Sequence, residues 1–242
     1  MTNLSAKIDQ TNSCLTTIDH DYCPAVFANS FGAEDMVLTD LISKQHRGIE
    51  IFTLDTGRLP AETYALMQKT REHYAIDITP YFPRHEEIEA YMQQNGPNGF
   101  YASVDLRKQC CAIRKIEPLR RALAGKQAWI TGLRREQAPT RKDLTEMEWD
   151  ADNQMRKFNP LIDWTHDDVW TYIREHQVPY NALHDLNYPS IGCAPCTRAI
   201  AVGEDIRAGR WWWENPETKE CGLHARKIGV IAEAPMNLKK AV

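Results

Sequence analysis

The chain has 242 residues, 43% hydrophobic and 26% charged, with a formal net charge of −4. That is enough apolar material for a packed core, and no overall positive field draws nucleic acid. No run approaches the roughly 18 apolar residues that cross a bilayer, and residues 1–10 lack the apolar segment of a secretory signal, so no membrane partner is expected.

In chain order, residues 1–20 are polar and read as a loose N-terminal segment with room for a short helix, and Cys14 and Cys23 as structural thiols. Residues 25–29 form a short apolar run that suits a buried strand. Ser30-Phe31-Gly32-Ala33-Glu34-Asp35 breaks it, and Val37, Leu38, Leu41 and Ile42 follow at helical spacing. A second copy of the unit has a strand at 49–54, the loop Asp55-Thr56-Gly57-Arg58, and a helix over 60–74 with Pro60 in its first turn. A third strand is expected at 76–79, and a fourth at 128–131, before Gly132-Leu133-Arg134-Arg135. Helical stretches fill the interval between these two strands, over 85–94 and around Cys110-Cys111. Pro118 predicts a kink or restart in the second of them.

Residues 141–152 are charged and poor in aliphatics, and read as a surface excursion. Thr165 and Asp168 resemble a capping box that opens a helix over 166–176. Strands that alternate with helices imply an α/β fold, a parallel-sheet Rossmann-like architecture that binds ligands at the carboxyl ends of its strands. Ser30-Phe31-Gly32, Asp55-Thr56-Gly57 and Gly132-Leu133-Arg134 all fall at that edge and predict one nucleotide-sized site. The expected division is a loose segment over 1–20, an α/β nucleotide-binding domain over 21–205, and a C-terminal tail over 206–242.

Seven cysteines in a chain without a secretory signal point to a reducing cytoplasm, where thiols serve metals or catalysis more often than disulfides. Cys193-Ala194-Pro195-Cys196 has the spacing that turns two thiolates toward one metal centre. Its partner is the adjacent pair Cys110-Cys111. Adjacent helical side chains diverge by about 100°, which suits one tetrahedral ion poorly. A cube of several irons can meet diverging thiolates at different corners, so the spacing favours a [4Fe–4S] cluster over Zn²⁺. Unliganded thiols, or a redox dithiol at Cys193 and Cys196, are the alternatives. Lys115, one helical turn after Cys111, can offset the charge of such a centre or bind an anion beside it.

Arg207 and Arg210 precede the run Trp211-Trp212-Trp213, whose expected role is packing. Two guanidiniums suit a multi-oxygen anion. Cys221 follows in Glu-Cys-Gly-Leu-His, with His224 three residues on. Cationic neighbours would raise its thiolate fraction.

Together these motifs, from about Phe27 to His224, resemble the assimilatory adenylylsulfate reductases, within the larger phosphoadenylylsulfate reductase family. The resemblance implies a fold like the adenine-nucleotide-binding ATP pyrophosphatases, with a modified pyrophosphate loop at Ser30 to Asp35 that includes Gly32. It implies that Cys221 attacks the sulfate sulfur of adenylylsulfate, that AMP leaves, and that thioredoxin or a glutaredoxin-like donor then releases sulfite. Lys115, Arg207 and Arg210 would hold the phosphosulfate, joined by an arginine between Arg134 and Arg141. Ser30, Leu54, Thr56 and Gly132 would line the adenosine pocket, and His224 would assist near the nucleophile. Three rivals are a reductase of the 3′-phosphorylated substrate, a tRNA-thiolating pyrophosphatase, and a non-enzymatic iron–sulfur sensor. The sequence leaves homo-oligomerisation open.

Overall fold

The computed structural model describes residues 4–46, 48–137 and 141–215. Its centre is a six-stranded sheet built from β1 (Ala25–Ala28), β2 (Glu50–Leu54), β3 (Ile78–Tyr81), β4 (Ala128–Ile130), β5 (Met147–Asp150) and β6 (Met155–Phe158). The spatial order is β3-β2-β1-β4-β6-β5. All neighbours are parallel except β5 and β6. The inner strands β1 and β4 are short and almost wholly apolar, as strands covered on both faces must be.

The helices are α1 (Leu4–Asp21), α2 (Ala33–Gln45), α3 (Ala61–Tyr74), α4 (His85–Asn95), α5 (Val104–Cys111), α6 (Glu117–Leu123) and α7 (His166–Glu175). The largest core cluster joins α1, α2 and α7 to β1 and β4. Asp40 of α2 is buried within it. Its carboxylate accepts from Tyr74 Oη at 3.0 Å, Tyr172 Oη at 2.6 Å and Lys44 Nζ at 2.7 Å. A buried carboxylate with three donors is tolerable; without them it would be costly. Thr165 caps α7 through the reciprocal box with Asp168.

The structure departs from expectation in three places. The N-terminal segment is not loose: α1 is an 18-residue helix whose Leu15 and Ile18 are 0% exposed. Thr11 interrupts its apolar seam, which weakens the sequence signal. That hydroxyl is nonetheless buried, donating to the carbonyls of Lys7 and Pro160 and accepting from Trp164 Nε1. The charged stretch after Arg141 is also more than a surface excursion. It includes β5, an exposed antiparallel edge strand that pairs with β6, itself a strand beyond the four expected, so the sheet is mixed. Four residues with alternating burial are too few to register as a strand in sequence. Finally, no boundary is evident at 205/206 among the described residues, because Trp211 and Glu214 are buried against α5.

Between α5 and α6 the helix widens into a π turn over Ala112–Ile116, where Glu117 N–H donates to Ala112 O. Pro118 is the physical cause. It has no N–H for the Arg114 carbonyl, and its ring crowds that carbonyl.

Candidate active site

The order of strands reverses on either side of β1, with β2 on one flank and β4 on the other. At the carboxyl ends of these three strands lies a cavity of about 270 Å³. Ser30, Gly32, Leu54, Thr56, Lys115, Gly132, Arg134, Arg141, Arg207 and Arg210 all line it. Every residue expected at the substrate site is therefore brought to one place, from segments more than 150 positions apart.

The floor is the loop after β1. Asn29 Oδ1 accepts from Phe31 N–H at 2.6 Å, and Asn29 Nδ2 donates to Thr39 Oγ1 at 2.8 Å. Phe31 has a φ of 61°, the left-handed region, and its ring is buried. A bulky residue held there marks backbone fixed by its surroundings. Ser30 donates to Asp35 Oδ2 from both N–H (2.7 Å) and Oγ (2.6 Å). Gly132 comes so close to the start of α2 that a β-carbon would meet Asp35 Oδ1 at 2.2 Å. Only glycine allows that approach.

Charge on this wall is organised in pairs. Arg134 is buried. Its guanidinium donates to Glu34 Oε1 at 2.9 and 2.8 Å, to Glu136 Oε2 at 2.8 Å and to the Trp164 carbonyl at 3.2 Å. Burial raises the Glu34 carboxyl, but the Arg134 guanidinium and hydrogen bonds from the backbone and Gln137 together hold its pKa below the ordinary value. Arg141 donates to Gln137 Oε1. On the far wall, Arg210 Nη1 donates to Ser190 Oγ and the Ile191 carbonyl, each at 3.3 Å. His184, absent from the sequence expectation, lines the same cavity, and burial lowers its pKa. A lone histidine in a stretch without periodicity gave no signal.

A second, smaller cavity adjoins the first. Cys110, Cys111, Cys193 and Cys196 all line it, with Arg58, Phe100, Arg107, Arg114, Lys115 and Pro195. The segment carrying Cys193 and Cys196 is tied down on several sides. Ala194 N–H donates to Arg58 O at 2.8 Å, Cys196 N–H to Cys193 O at 2.9 Å, and Tyr101 Oη to Pro195 O at 2.6 Å. Thr56 Oγ1 is 3.3 Å from Cys193 Sγ, and the Thr56 carbonyl accepts from Arg114 Nη1 at 2.6 Å. Burial, joined by the neighbouring Cys193, pushes the Cys196 thiol up to about 12, against the pull of Lys115 and Arg210.

Among the described residues no group of three or more His, Cys, Asp or Glu is placed to hold a metal ion. Four thiols around one cavity, none converging on a single point, suit a multi-iron centre better than one tetrahedral ion. Arg58 and Arg114 escaped the sequence reading. Arg114 lies four residues after Cys110, one helical turn on, and that spacing was the available signal. Cys221 and His224 lie outside the described residues. No helix among the described residues is long and apolar enough to cross a membrane.

Comparison with known proteins bears on the same residues. The family model for the phosphoadenosine phosphosulfate reductase domain matches residues 24–199. An adenosine 5'-phosphosulfate reductase of Allochromatium vinosum is 60% identical over 203 residues, covering 84% of this chain and 79% of the relative. One from Burkholderia cepacia is 50% identical over 234 residues, covering 97% and 92%. Among solved structures, a phosphoadenylyl-sulfate (PAPS) reductase from Candida auris, in a phosphate complex, superposes with a TM-score of 0.68 at 30% identity, covering 78% of this chain and 90% of that one. The NH3-dependent NAD synthetase of Campylobacter jejuni, at 10% identity and a TM-score of 0.54, shares the fold alone. With sheet order, loop positions and the family match in agreement, the chain belongs to the phosphoadenosine phosphosulfate reductase family.

Proposed function

We propose that this protein reduces adenylylsulfate to sulfite and AMP, with electrons from thioredoxin or a glutaredoxin-like donor, and that Cys110, Cys111, Cys193 and Cys196 hold a [4Fe–4S] cluster. The observation that carries the reading is Lys115, which lines the nucleotide-sized cavity and the four-thiol cavity at once. The donor set fits the cluster: four thiols, a cationic rim, and a buried Arg114 Nε with no hydrogen-bond partner among the described residues. When bound, the cluster supplies negative charge beside Lys115 and ties the two cysteine-bearing segments together.

The remaining steps belong to the chain's own side chains. Lys115, Arg207 and Arg210 offer three cations to a phosphosulfate. The Cys221 thiolate attacks the sulfate sulfur. An S–S bond forms, the S–O bond to AMP breaks, and the sulfo group stays on Cys221 as S-sulfocysteine. The three cations offset the charge that develops on the departing AMP phosphate. A donor thiolate then attacks Cys221 Sγ, and sulfite leaves with the electron pair of the S–S bond. The donor's second thiol resolves the mixed disulfide and restores Cys221, so two electrons pass from dithiol to sulfur. His224 assists beside the nucleophile. Asn215 precedes Cys221 by six positions, a span of at most about 20 Å, and Arg210 and Trp211 already line the cavity. All six described cysteines are free thiols, which supports a reducing cytoplasm.

The resemblance to the Candida auris protein favours a second reading, reduction of the 3′-phosphorylated nucleotide. Sulfite release with each nucleotide and reduced thioredoxin decides between them, using protein purified without air. The first reading expects faster turnover of adenylylsulfate by protein that carries iron and acid-labile sulfide. Faster turnover of the 3′-phosphorylated nucleotide, or protein without iron, would contradict it.

A further inference from the structure

Behind the nucleotide cavity lies an ion pair that lines no part of it. Arg107 and Glu214 have side chains 1% and 3% exposed. Arg107 Nε donates to Glu214 Oε1 at 2.8 Å, and its Nη2 donates to Oε2 at 2.7 Å. Arg107 is on α5, one turn before Cys110 and Cys111. Glu214 is also tied to Trp211 through the backbone, its N–H donating to the Trp211 carbonyl at 2.9 Å.

Trp211 is the third member of the group and is 1% exposed. The guanidinium carbons of Arg107 and Arg210 each lie 4.7 Å from the centroid of its ring. Its φ of 41° is left-handed, a conformation tryptophan keeps only where surrounding contacts impose it. Arg210 is confined from its other side by Gly192, where a β-carbon would come 2.5 Å from Arg210 Nη2.

A bidentate pair this deeply buried is a poor source of stability, because desolvation of both charges offsets most of their attraction. What it does well is fix orientation, since the planar fork accepts the carboxylate in one geometry. Two cations sharing one indole also repel, and the Glu214 carboxylate neutralises the one farther from the cavity. We infer that Arg107 and Glu214 are positioning residues: they lock Trp211, and through it they aim Arg210 at the anionic group of the nucleotide. The inference rests on the functional reading above.

A double-mutant cycle on the full chain tests it, with Cys221→Ser throughout so that adenylylsulfate binds without reacting. Binding is measured at equilibrium for Glu214→Gln, for the pair replacement Arg107→Met with Glu214→Gln, and for each again combined with Arg210→Ala. The pair replacement guards against misfolding, because it removes both charges of the buried ion pair together. The expected result is a loss of affinity of about tenfold for Glu214→Gln and for the pair replacement, shrinking to less than about twofold once Arg210 is alanine. Wild-type affinity in the folded pair replacement would overturn the inference. So would a full tenfold loss that persists without Arg210. If the protein with Cys221→Ser alone binds no adenylylsulfate, the functional reading fails and takes the inference with it; binding with additive losses sinks the inference alone.

Discussion

Asp35, in the first turn of α2, is buried beside Glu34, and burial pushes its carboxyl up to about 6. The hydrogen bonds from Ser30 oppose that rise without cancelling it. A carboxyl whose folded pKa exceeds its unfolded value contributes stability that is complete below about pH 4 and lost as pH rises through about 6. The full shift is worth on the order of 3 kcal/mol. Asp35→Asn keeps an acceptor for Ser30 and removes the charge. The stability of this variant relative to the unaltered protein should therefore rise between pH 4 and pH 7. Denaturant titrations across that range check this, and a difference independent of pH would contradict it. The same residue shows what a sequence conceals. Ser30, Gly32 and Gly132 were legible because turns at strand ends have few residue choices. The pairing of Asp35 with Ser30, of Glu34 with Arg134 and of Arg107 with Glu214 was not, because each partner is chosen in space, up to 107 positions away along the chain.

At the level of elements, the strands and helices with strong periodicity were legible to within two residues, as β2 and α4 show. The failures have local causes. α1 hides its seam behind Thr11, and β5 is too short to display alternation. The π turn was half visible, since Pro118 announced a disruption but not that it would widen the helix and leave Cys110 and Cys111 on one cavity. The placement of α1 in the core carries its own prediction. Leu15 is wholly buried against the main cluster, so Leu15→Ala should cost about 2–5 kcal/mol of stability. A loss below about 0.5 kcal/mol, the range of surface substitutions, would mean that α1 does not pack as described. Circular dichroism melts or urea titrations measure it.

In the molecule as a whole, the nucleotide-sized cavity and the four-thiol cavity share one lysine, Lys115. The sheet brings three loops to one edge, and the switch in strand order opens a nucleotide-sized space between them. The π turn delivers Lys115 to that space from the same helix that carries two of the four thiols. Cys196 and Arg210 are linked in turn, because Trp211 N–H donates to the Cys196 carbonyl at 3.2 Å. The segment that carries Cys193 and Cys196 and the one that carries Arg207 and Arg210 are therefore fastened to each other. In sequence these segments looked independent, a cysteine motif followed by a basic one, because nothing in their spacing reports that they fold onto each other.

In the proposed reaction a separate cysteine, Cys221, takes up the sulfo group. Intact-mass analysis after mixing the protein with adenylylsulfate and no reductant tests it directly. The expected result is a gain equal to one SO₃ group, located on Cys221, released by reduced thioredoxin and absent from Cys221→Ser. An unchanged mass, or the same gain in Cys221→Ser, would contradict it.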